Sequence, residues 1–172
     1  RVKGSHPFHD SFHERDATPL RNASRGIIRA MNRDLIFGPV LVQVLLTLAT
    51  YVLLIKAKIR AMKAGEVDMA RRALHDDAWP ESVMKINNNI RNQFEVPVLF
   101  YVLAFMLWAL EAVNALTLAA AWLFAVSRIV HAWIHIGSNY VPNRRRVFTV
   151  GWWIVLALAL LVAWELGKRL LP

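Results

Sequence analysis

From Leu35 to Ile55 the chain runs for 21 residues without a charge. At about 1.5 Å of rise per residue, a helix of that length matches the roughly 30 Å hydrocarbon layer of a bilayer. Three further stretches have the same character: Phe94 to about Val113, Ala115 to Ile136, and Val147 to Trp164. With 56% of its 172 residues hydrophobic, the chain is too apolar for an ordinary soluble domain. The fold expected is all-α, an integral membrane four-helix bundle and a multi-pass protein. Residues 1–30 are expected to be a separate polar extension, disordered or at most a short basic helix, and residues 31–172 to be the membrane domain.

Polar residues inside such spans need a reason. Only 15 uncharged residues separate Glu95 from Glu111, whereas a crossing helix needs about 20. A span from Phe94 to about Val113 therefore takes Glu95 into the membrane and leaves Glu111 at the far surface. An ionisable group at that depth marks function by default and requires a partner. In the third span Arg128, His131 and His135 share one helical face, as do Asn88, Asn92 and Glu95 beside the second. The second span enters on the side to which the third returns, so the two faces are expected to meet at similar depth.

The net charge of +9 does not point to nucleic acid, because the cations sit in short connections beside the spans. The first connection carries Lys56, Lys58, Arg60, Lys63, Arg71, Arg72, Lys85 and Arg91, and the connection before the fourth span carries Arg144, Arg145 and Arg146. The positive-inside rule makes both large loops cytoplasmic and puts both termini on the opposite side; in a bacterium this is the inner membrane. Two of the three consecutive arginines are expected to be topological charge only. The chain has no Cys, so any thiol chemistry must use a thiol brought by a ligand. His131 and His135 are four apart, but no HExxH motif or further ligand accompanies them, and His6, His9 and His13 stand beside Pro7; no metal site is expected. A Glu95–Arg128 pair alone is explained as well by helix register as by function. Together, Arg91, Asn92, Glu95, His131 and Arg144 assemble donors, an acceptor and cations around one opening, which suits a small polyanionic ligand.

Asn92-Gln93-Phe94-Glu95 with Pro97 and Phe100, then Arg128-Ile129-Val130-His131, then Pro142-Asn143-Arg144, resemble the MAPEG superfamily, the membrane-associated proteins in eicosanoid and glutathione metabolism. The resemblance covers Met31 to Leu171. It implies homotrimers of four-helix subunits with glutathione, as co-substrate, bound between neighbours near the cytoplasmic face. It also implies glutathione S-transferase or peroxidase activity on lipophilic electrophiles or hydroperoxides. Carried over by position, Arg91 and Asn92 contact the peptide or its carboxylates, and Glu95 holds the amino group or orients Arg91. His131 and His135 line the site, and Arg60, with Lys58 close behind, joins it from the end of the first span. Arg144 lies nearest the sulfur as the catalytic residue, and Arg128 forms a structural ion pair. His135 stands where the eicosanoid branch often has tyrosine, and Asn88 where its motif has a basic residue, which points to a bacterial-type member. The rival reading is a non-catalytic glutathione- or lipid-binding module, or a scaffold built on a structural Glu–Arg pair.

Overall fold

The uncharged run folds as α1, Phe37–Lys63, in a computed structural model that describes residues 33–170. The extension over 1–30, with His6, His9 and His13, lies outside the described residues. Helix α1 continues past Ile55 because Lys56, Lys58 and Arg60 are good helix formers, and Arg60 and Lys63 lie in the last turn, where cations offset the helix dipole. Gly65, at φ +70°, then reverses the chain, and Glu66 N–H closes the end on the Ala61 carbonyl at 3.1 Å. The connection holds a short 3-10 turn, Asp76–Ala78. In it Arg71 bonds Asp77 at 2.8 Å, and that bond keeps the Asp77 carboxyl below its usual range.

The second crossing differs from the expected Phe94–Val113 helix. It is two helices, α2 at Glu81–Gln93 and α3 at Val96–Ala109, which together form a 29-residue span. Pro97 is the cause: it has no N–H to give the Gln93 carbonyl, and its ring crowds that carbonyl, so α2 stops at Gln93. Proline is well placed in the first turn of α3. Glu95 therefore stands at the break, just before α3 and with no capping bond from its side chain, instead of inside a continuous helix from Phe94.

Helix α4, Ala115–Ile136, has the expected bounds. Asn114 caps it, its Oδ1 accepting from Leu116 and Thr117 N–H while Thr117 Oγ1 accepts from Asn114 N–H. Helix α5 runs from Val141 to Leu170. It starts six residues before the expected Val147, so Arg144, Arg145 and Arg146 lie in its first turns and the preceding connection is only residues 137–140. Among the described residues four helical segments, with α2 and α3 counted as one, are long and apolar enough to cross a membrane. The outward faces of α1 and α5 fit this, with Leu41, Leu45, Leu48, Leu160 and Trp164 all exposed.

Helices gain little from apolar burial against one another in lipid, so close packing of small residues does the work. Ala104, Ala121, Ala125 and Gly151 are buried, and Phe100 stacks on Phe124 at 4.4 Å between centroids. A side chain at Gly151 would put its Cβ 3.2 Å from Ser127 Oγ, so glycine lets α5 lie against α4. Nearer the long connection, Leu54, Ala57 and Ala61 of α1 pack on Val83, Ile86 and Ile90 of α2. A buried ladder of amides adds to this contact: Gln43 donates to Gln93, and Gln93 donates to Asn89 at 3.2 Å. At the other end Arg33 pairs with Glu111 at 3.2 Å, Trp108 Nε1 donates to Asp34 at 2.6 Å, and Arg169 bonds the Leu110 carbonyl.

Candidate functional site

The break between α2 and α3 creates a demand that α4 meets. The last carbonyls of a helix have no partner within it, and in α2 the Asn92 carbonyl is one of these. Arg128, only 1% exposed, donates to it from Nη2 at 3.1 Å. A guanidinium is well suited there, since it stays charged when desolvated and faces the negative end of the α2 dipole. Among the described residues Arg128 has no ion-pair partner: the helix end takes the place expected for Glu95, whose side chain is exposed.

One and two turns further along α4 the same face presents His131 and His135, both buried, with ring centroids 5.6 Å apart. Phe148 of α5 packs 5.8 Å from the His131 ring and 5.8 Å from the Arg128 guanidinium carbon. Arg144, one turn before Phe148, reaches back toward α4: its Nη1 donates to Asn139 Oδ1 at 2.5 Å and lies 3.4 Å from His135 Nε2. Asn92, His131, Val141, Arg144, Arg145 and Phe148 line a cleft of about 260 Å³. Among the described residues two guanidiniums and no carboxylate line it, so its chemistry favours an anion. An aromatic ring and a valine give it an apolar wall.

Of the residues read from the sequence, Asn92, His131 and Arg144 meet at this cleft, His135 supports Arg144, and Arg128 lies behind. Three do not join them on one chain. Arg91 points to the long connection, where it pairs with Asp76 at 2.5 Å. Glu95 is exposed at the break. Arg60 lines a different cleft, of about 400 Å³, with Glu66, Ser82, Lys85 and Ile136; Lys58 lies over the Trp79 ring, 4.7 Å from its centroid.

Arg145, one of the arginines expected to be topological charge, lines the cleft, and Phe148 and Asn139 are site residues that the sequence did not single out. The spacing 141, 144, 145, 148 is a helical stripe, visible once α5 is started at Val141 instead of after the arginines. Gln43 was also missed, although a lone amide in an uncharged run is itself a signal. The MAPEG family model matches the chain over residues 36–164. No curated protein and no solved structure matches it.

Proposed function

Because the chain belongs to the MAPEG family, a family of membrane proteins of eicosanoid and glutathione metabolism, we infer that it is a glutathione-dependent membrane transferase or peroxidase. Its acceptors are lipophilic electrophiles or hydroperoxides that arrive through the bilayer. The observation that carries this reading is the cleft at which Arg144, His131 and Asn92 meet, lined among the described residues by a second guanidinium and no carboxylate.

Glutathione brings two carboxylates, an ammonium group and a thiol. Arg145, exposed at the rim, is placed for a carboxylate; the Asn92 carboxamide offers a donor and an acceptor to the peptide. Arg144 serves the sulfur. A free thiol has a pKa of about 8.5, and each unit by which a cation lowers it is ~1.4 kcal/mol of preference for the anion. The thiolate then forms a C–S bond with an electrophilic carbon whose leaving group departs with the bonding pair. With a hydroperoxide it attacks the terminal oxygen, the O–O bond breaks, and the alkoxide takes up a proton. A second glutathione then reduces the oxidised sulfur, giving the disulfide and water.

Arg60, Arg91 and Glu95 enter this scheme through assembly. In a homotrimer a neighbouring subunit supplies them to the cleft, on the cytoplasmic face that also carries the long connection. Arg144→Ala should abolish conjugation of glutathione to a model electrophile while the protein still assembles. Undiminished turnover in that variant refutes the assignment of Arg144. Glutathione binding measured at equilibrium on the unmodified protein, without turnover of any electrophile or hydroperoxide, indicates a binding module in place of an enzyme.

A further inference from the structure

Asn139 sits where α4 passes the chain to α5, and its φ is +51°. Residues other than glycine rarely take that conformation, asparagine being among the exceptions. The turn itself is held by backbone: Asn139 N–H donates to the Ile134 carbonyl at 2.8 Å, and Gly137 N–H to the Trp133 carbonyl at 3.0 Å. The Asn139 side chain is therefore free for another task, and its Oδ1 accepts from Arg144 Nη1 at 2.5 Å.

The same Nη1 lies 3.4 Å from His135 Nε2. A guanidinium has only donors, so a hydrogen bond there uses a lone pair on His135 Nε2. Both hydrogens of Nη1 then have protein acceptors, which leaves Nη2 and Nε as the donors available to a ligand. An arginine side chain otherwise has many rotamers open to it, and these two contacts restrain it from behind.

We propose that Asn139 is a positioning residue: its carboxamide holds Arg144 so that the free edge of the guanidinium is aimed at the cleft before the thiol arrives. This rests on the glutathione reading of the cleft. The residue type follows from three requirements. It must accept a hydrogen bond, tolerate a left-handed backbone, and remain neutral, because a carboxylate would hold the guanidinium equally well but cancel its field.

Two variants of the full chain separate positioning from folding. Asn139→Gly keeps the backbone conformation and removes the acceptor. Asn139→Asp keeps the shape, the acceptor and the turn, but adds a negative charge. The readouts are the pKa of bound glutathione, from the ultraviolet absorption of its thiolate, and the pH profile of kcat. Asn139→Gly should raise the bound thiol pKa by about one unit, which lowers kcat near neutrality roughly tenfold and restores it at alkaline pH. Asn139→Asp should raise that pKa further. Both should melt at the temperature of the unmodified protein. If both variants titrate like the unmodified protein while Arg144→Ala loses the thiolate, the positioning role fails and the glutathione reading stands. If the unmodified protein shows no bound thiolate, both fail together.

Discussion

The residue with most at stake in the interior is Arg128, a buried guanidinium whose one hydrogen-bond partner among the described residues is a carbonyl freed by a break elsewhere in the chain. Removing the guanidinium leaves the Asn92 carbonyl without a donor, at a cost of about 1–3 kcal/mol. Arg128→Met, which keeps the apolar volume, should therefore lower the melting temperature in detergent. Arg128→Lys should recover part of the loss, because lysine supplies a charge and a donor without the planar fork. A melting temperature unchanged in Arg128→Met would mean that the α2 end finds its partner elsewhere. Arg128, His131 and His135 were legible as a face from their spacing, but the partner of Arg128 was not. The nearest carboxylate in motif terms was Glu95, and nothing in a sequence announces that a backbone carbonyl will be left free instead. Asn139 was hidden for a related reason: its contact with Arg144 depends on a four-residue turn between two helices whose ends had first to be fixed.

Among the elements, the contact between α4 and α5 shapes the cleft, and Gly151 sets how closely the two helices lie. Its buried position faces Ser127 Oγ, a small hydroxyl, and the Phe124 ring. Gly151→Ala should be tolerated: the gain in helix propensity of about 1 kcal/mol offsets a contact that is only slightly tight. Gly151→Leu has no such room, and overpacking of this kind costs about 1–3 kcal/mol. It should lower the melting temperature and weaken glutathione binding together, because Arg144 and Phe148 ride on the helix that is pushed away. Equal melting temperatures for the two variants would count against this account. Helix α4 has the bounds of its apolar run, and the structure shows a signal at each end, Asn114 with Thr117 at the start and Gly137 at the finish. The second and fourth crossings begin earlier than their uncharged runs imply, at Glu81 and Val141, and each has a proline near a helix start. Pro97 and Pro142 were near the right places, but a proline that ends one helix can equally open the next, and hydropathy alone pulled both boundaries toward the uncharged residues.

At the scale of the whole molecule, Arg60 and Arg144 line different clefts on one chain. On the proposed reading a single glutathione uses both because two subunits of the trimer contribute. That geometry has a direct consequence for mixed assemblies. Suppose Arg60→Ala and Arg144→Ala each remove activity as uniform assemblies, and are then expressed together. In a cyclic trimer with sites between neighbours, random mixing leaves about a quarter of interfaces with both arginines intact, and turnover should return to about that fraction of the unmodified level. If each site were built within one chain, every site would carry one lesion and no turnover would return. Native mass spectrometry of the same detergent-purified mixture establishes that the subunits have exchanged, so a lack of recovery in demonstrably mixed trimers would place the working site inside a single subunit and remove Arg60 from it.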